Sequence, residues 1–142
     1  MATGTAMSNV MEADILERWL KNTTTNLGAV PATVYIGLGT AGDDASLTEP
    51  STTRGYTRPS IGFGATSAST NPTTALQITG PTAAISIGPN TVSDWGTITH
   101  FGIYSASSSG NLLFWGALGS GVSMAVNDTF QFAASSVTIT AD

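Results

Sequence analysis

The 142-residue chain has one histidine (His100), no cysteine, nine acids and four cations: Arg18, Lys21, Arg54 and Arg58. Any nucleophile, histidine and acid arrangement must run through His100, because the base has to reach both partners by hydrogen bonding. The nearest preceding acid is Asp94, in "SDWGTITHFGIYSASSSGNLLFWGAL" (93–118). Six residues of straight strand at about 3.3 Å each separate the two by roughly 20 Å, so they do not pair along one strand. Asp94, between Ser93 and Trp95, reads as a turn acceptor for backbone amides. Asp43 and Asp44 in "GDDAS" place two carboxylates together, but the spaced oxygen ligands of a calcium loop are absent, which leaves a solvated acidic turn. Gly37, Gly39, Gly62, Gly64 and Gly102 lie in strand-like settings, not between a strand and a helix, and form no phosphate loop. No catalytic, metal-binding or cofactor-binding residue is assigned, and no cofactor or enzymatic activity is expected.

The elements that position these residues can be read from periodicity. "ASSSG" (106–110) is a polar turn between two apolar runs, so 95–104 and 111–118 are expected to pair as an antiparallel hairpin. Period two puts Ile98, His100, Gly102 and Tyr104 on one face and Thr99, Phe101 and Ile103 on the other. "ATVYIGLG" (32–39) alternates Val34, Ile36 and Leu38 against Thr33, Tyr35 and Gly37. Further short strands are expected at 75–79, 83–87, 129–132 and 136–140. "RGYTRPSIGFG" (54–64) reads as an irregular strand with Pro59 at an edge or bulge. Residues 40–53 read as a loop.

Before Pro31 the pattern is different. Residues 1–7 are small and featureless, and are expected to be loose or ordered only against something else. "SNVMEADILERWLKN" predicts one helix, with Asn9 and Glu12 as a capping box and Asp14 to Arg18 and Glu17 to Lys21 as i,i+4 pairs. Met11, Ile15, Leu16, Trp19 and Leu20 are assigned to one apolar stripe, the candidate surface for a partner or another subunit. Thr23–Thr25 are expected to end the helix, being β-branched. Residues 1–22, an arm and helix with five of the thirteen charges, are thus set apart from a β domain over 23–142. The fold class expected is mainly β: a single antiparallel jelly-roll-like sandwich or barrel with one N-terminal α-helix.

Composition narrows the partners. Only 9% of residues are charged and the net charge is −5, which argues against the clustered Lys and Arg that phosphate backbones require, so nucleic acid is excluded. No window is apolar enough to span a membrane, and none is expected. Threonine and serine, at 23 and 16 residues, supply most of the surface polarity. Short strands with many glycines at outward positions suggest faces and edges that cyclic association would cover, hence a homotrimer.

The order "MSNVMEADILERWLKNTTT", "PATVYIGLGTAG", "GYTRPSIGF", "DWGTITHFGIYSASSSGNLLFWGAL" and "VNDTFQFAASSVTIT" resembles small structural proteins of tailed phages, often labelled tail fibre proteins and similar to trimeric head-decoration or cement proteins. The resemblance spans residues 7–140 and is most specific at the hairpin. It implies structural hairpin roles for Asp94, Trp95, His100, Phe101, Asn111, Phe114 and Trp115. It further implies a virion protein, made in the host cytoplasm, whose trimer binds the major capsid protein on the outer capsid surface and stabilises it. The alternatives are a tail or head fibre subunit contacting the host, and a lectin-like module in which Trp95, Trp115 and Tyr104 form an apolar platform for a host glycan. A surface of hydroxyls suits a particle that survives outside the cell, where exposed ion pairs are weak and screened by salt.

Overall fold

The computed structural model describes residues 2–21, 28–64 and 76–141. The expected hairpin is its centre. β8 (Gly96–Tyr104) and β9 (Leu112–Met124) pair antiparallel. β2 (Val34–Gly39) lies on the other side of β8, with Ile36 opposite Ile103 and Leu38 opposite Phe101. β5 (Ser60–Ile61) forms one edge of this sheet, and β1 (Ala2–Met7) forms the other, giving the order β1-β9-β8-β2-β5. Pro59 precedes the short edge strand, as expected, and its carbonyl accepts from Ile36 N at 3.0 Å.

Two-stranded antiparallel sheets complete the β structure. β6 (Leu76–Gly80) pairs with β11 (Val137–Ala141), and β7 (Ile85–Ile87) with β10 (Phe130–Phe132). Their apolar side chains close one face of the large sheet. Ile87, Phe130, Phe132 and Val137 share a core with Ile36, Leu38, Ile98, Phe101 and Ile103, and the Phe101 and Phe132 rings meet edge-on at 6.1 Å. The result is a mainly β, sandwich-like fold with an N-terminal helix.

The alternation expected for β8 fails at one place. Ile98 is fully buried on the Phe101 side and does not share the His100 face. Between Ile98 and His100 the β9 partners jump from Val122 to Ala117. Such a bulge changes the side-chain phase, and strict period two cannot foresee it.

The opposite face of the sheet carries Gly37, Gly39 and Gly102, with Gly37 directly across from Gly102. These three glycines are covered by the chain itself. Residues 40–53, read as a loop, contain a small hairpin of β3 (Ala41–Gly42) and β4 (Leu47–Thr48). Asp43 Oδ1 shapes its turn by accepting from Ala45 N and Ser46 N, both at 2.9 Å. Leu47 then lies so close that a methyl group at Gly102 would sit 2.6 Å from its Cδ1. At Gly37 a methyl would sit 2.7 Å from Glu49 Oε1, 2.8 Å from the Tyr56 hydroxyl and 2.9 Å from Tyr104 Cε2. All three are held by hydrogen bonds or packing, so Gly37→Ala is expected to lower stability by about 1–3 kcal/mol in urea unfolding. An unchanged midpoint would show that the cover can lift at no cost.

The N-terminal residues are the largest departure from expectation. Far from being loose, residues 2–7 form β1, antiparallel to β9 with Ala6 opposite Trp115 and Met7 opposite Phe114. Ser8 N then donates to Leu113 O at 2.9 Å, and Asn9 N to Asp44 O at 3.0 Å. α1 (Asn9–Leu16) is capped by Ser8 and not by Asn9: Ser8 is extended, and its Oγ accepts from Met11 N. Asn9 is already inside the helix, so the expected capping box with Glu12 does not form. A π-helical turn, Glu17–Lys21, continues α1. The expected ion pairs of Asp14 with Arg18 and Glu17 with Lys21 are both present. The predicted stop at Thr23–Thr25 lies outside the described residues.

Candidate functional site

The residues that sequence chemistry singles out are brought into three separate places. His100 is half-buried on the glycine-bearing face, its ring stacked 6.0 Å from that of Trp115 and its Nδ1 2.8 Å from Thr99 Oγ1. Asp94 lies apart and exposed. Its carbonyl accepts from Arg54 Nη1 at 2.7 Å, and its carboxylate lies 3.6 Å from the same nitrogen, so Asp94 faces a guanidinium where turn amides were expected. Asp43, at the tip of the small hairpin, is held below its ordinary carboxylate pKa by the hydrogen bonds from Ser46 N and Ala45 N. Among the described residues no group of three or more His, Asp or Glu could hold a metal ion.

The stack makes His100 a packing residue. His100→Gln keeps a hydrogen-bonding partner for Thr99 and loses ring contact, so a cost of about 1 kcal/mol is expected in thermal unfolding. Collapse of the fold would show that the imidazole does more than this.

A polar cluster that the sequence reading missed lies on the same face. Arg58 donates from Nε to Glu49 Oε1 at 2.8 Å and from Nη2 to Glu49 Oε2, a bidentate pair. The Arg58 side chain is 9% exposed. Its Nη1 donates to Ser109 O at 2.7 Å and Ala106 O at 3.1 Å, which ties segment 49–58 to the β8–β9 loop. Its guanidinium lies 3.4 Å above the Tyr104 ring. Tyr56 donates to Glu49 Oε1 at 2.7 Å while its oxygen accepts from Leu38 N at 2.7 Å, so the pair is joined to the middle of β2. Burial first, and then the Glu49 charge, push both the Tyr56 and Tyr104 phenols above their ordinary pKa. The sequence signal for this cluster is weak: Glu49, Arg54 and Arg58 fall within ten residues of a chain that is 9% charged, but nothing in their spacing says which of them pair.

The remaining hairpin positions are engaged in packing or in hydrogen bonds within the chain. Trp95 is 2% exposed, packs edge-on to Tyr56 at 5.5 Å and donates from Nε1 to Arg54 O at 3.0 Å. With Trp95 buried and Tyr104 covered by Arg58, the surface platform imagined for a glycan is not formed. Phe101 is wholly buried and Phe114 packs against the core. Asn111 N donates to Ser105 Oγ and its carbonyl accepts from Ser105 N, which closes the loop.

The helical segment does not carry one stripe. At 3.6 residues per turn Leu16 lies about 140° around the axis from Met11, and side chains that far apart cannot share a face. Met11 and Ile15 are half-buried and turn inward. With Val30, Pro31, Val34 and Phe114 they line an apolar groove of about 290 Å³. The buried Asp14 and its partner Arg18, which also donates to Gly28 O, form its polar end. Leu16 and Leu20 stand out in solvent, 58% and 78% exposed. Trp19 lies in the π-helical turn, and its side chain is outside the described residues.

A protein-family model described as podophage GP4 fiber I protein gp80 matches residues 6–140, all of the chain but its two ends. No curated protein matches the chain.

Proposed function

The chain belongs to the podophage GP4 fiber I protein gp80 family, and from that premise we propose that it is a subunit of a fibre on the phage particle. It is a structural protein of a phage virion. The family match across residues 6–140 is the observation that carries the fibre reading. The geometry supports a building role: His100, Asp94 and Asp43 are dispersed, and each is engaged by packing or by local partners. The polar cluster is turned inward to fasten segments of the chain together, which is the work of a scaffold.

Head decoration, with a trimer on the major capsid protein, is the second reading. Exposed Leu16 and Leu20 favour it, since an apolar helix ridge could rest on a shell. Electron cryomicroscopy of particles labelled with an antibody to this protein decides between the two. Label confined to fibres is expected. Label spread over the head would overturn the fibre reading and select decoration.

A further inference from the structure

We propose that the N-terminal arm, residues 2–21, is exchanged between copies of this chain, so that β1 of one copy completes the β9 edge of a neighbour as it does its own. The contact itself is on view in the structure. β1 lies antiparallel along residues 114–118, Ser8 donates from its amide to Leu113 O and from its hydroxyl to Leu112 O, and Asn9 N donates to Asp44 O. Nearly all of these are main-chain hydrogen bonds at a sheet edge, the bonding by which one chain adds a strand to another. Every copy offers the same acceptors.

Three features make the arm exchangeable. Of the side chains described between Ala6 and Lys21, none belongs to the apolar core, which is drawn from residues 34–139. The body therefore keeps its core when the arm leaves, but β9 is left with an open edge, which sheets rarely tolerate. The seam between arm and body is not packed shut: the groove of about 290 Å³ runs between Met11 and Ile15 on the arm and Val34, Leu113 and Phe114 on the body. Residues 22–33, twelve in all, connect Lys21 to Val34, a length that spans up to roughly 40 Å. The arm's bond to this connection, from Arg18 to Gly28 O, is exposed, where water can replace it. Release thus gives up backbone bonds that a neighbour returns in full. Exchange links copies through a contact that each chain already makes, and it closes as a dimer when reciprocal or as a trimer when cyclic. The inference concerns the chain alone and does not depend on where the virion carries it.

The chain has no cysteine, so introduced ones report on the exchange without background. Thr3 stands opposite Ala117 in the β1–β9 ladder, a spacing at which two cysteines can form a disulfide. Full-length Thr3→Cys and Ala117→Cys chains are produced in the same cell, purified and oxidised, and their disulfides are assigned by peptide mass spectrometry. Links between residue 3 of one chain and residue 117 of another are expected to exceed links between like positions at least tenfold. Chance collision would give comparable amounts of all three, and that result would overturn the exchange. The wild-type chain supplies a second readout. Refolded from equal parts of isotope-labelled and unlabelled protein, it should run at two or more times its 14.4 kDa mass and show a nuclear Overhauser contact from Ala6 of a labelled chain to Trp115 of an unlabelled one. A monomeric wild-type chain, or an assembled one without that contact across chains, would also overturn the exchange. If either cysteine variant fails to fold, the wild-type measurement decides.

Discussion

Arg58→Ala should lower the stability of the fold by about 2–4 kcal/mol, because it leaves the half-buried Glu49 carboxylate with no cation beside it. The loss extends beyond the pair. Arg58 also holds the carbonyls of Ala106 and Ser109, so the β8–β9 loop loses its tie to segment 49–58. Glu49→Ala should cost a similar amount, since it strands the guanidinium and leaves the Tyr56 hydroxyl without its acceptor. Glu49→Leu with Arg58→Met should recover only part of the loss: apolar side chains of similar volume remove the stranded charge, but the Ala106 and Ser109 carbonyls and the Tyr56 hydroxyl stay without these partners. Urea unfolding of Arg58→Ala, Glu49→Ala and the combined Glu49→Ala with Arg58→Ala completes a double-mutant cycle. Additive losses would show that the two residues do not act as a pair.

The same cluster sets an alkaline limit. Tyr56 and Tyr104 lose their protons at higher pH in the folded chain than in the unfolded one. Their contribution is whole below the ordinary phenol pKa of about 10 and declines as pH rises beyond it, because the unfolded chain then binds fewer protons. In Tyr56→Phe part of that decline should disappear, and the lost hydroxyl leaves Leu38 N unpaired at a cost of about 1–3 kcal/mol at neutral pH.

Phe101→Ala should remove about 3–5 kcal/mol, the largest effect expected from the apolar core. Phe101 has no exposed surface, sits in the middle of β8 opposite Leu38 and Gly116, and touches Phe132 of the facing sheet. Its removal opens a cavity where the two layers meet. Val122→Ala, at an exposed position near the end of the same hairpin, should stay within about 0.5 kcal/mol of wild type. Equal losses at the two positions would contradict the layered core.

The hairpin was legible because pattern and local chemistry agreed there: alternating apolar runs on both sides of a polar turn need little tertiary help. β2, β6, β7, β10 and β11 were legible for the same reason, each within a residue or two of its expected start. β1 was not, because "ATGTAM" has no alternation and its strand state comes from β9, more than a hundred residues away. The phase error at Ile98 came from a bulge, and the cover over Gly102 was not legible because nothing local announces that Leu47 folds back onto it. The false stripe had a simpler cause: Leu16 and Leu20 are apolar at a helical spacing from each other, but not from Met11. The Glu49, Arg58 and Tyr56 cluster depends on a fold that turns segment 49–58 against β2, and charge spacing alone does not disclose that.

The pairing of β1 with β9 also imposes an order in time. β1 leaves the ribosome before its partners, Phe114 to Leu118, which follow more than a hundred residues later. At about 5–20 residues per second, that delay is roughly 6–20 s. The β8–β9 hairpin can close as soon as its own residues are free, whereas β1 must wait for it and then dock onto a finished edge. A strongly hydrophobic strand would spend those seconds as an aggregation hazard. "ATGTAM", with small residues, two hydroxyls and a glycine, is a sequence that can wait.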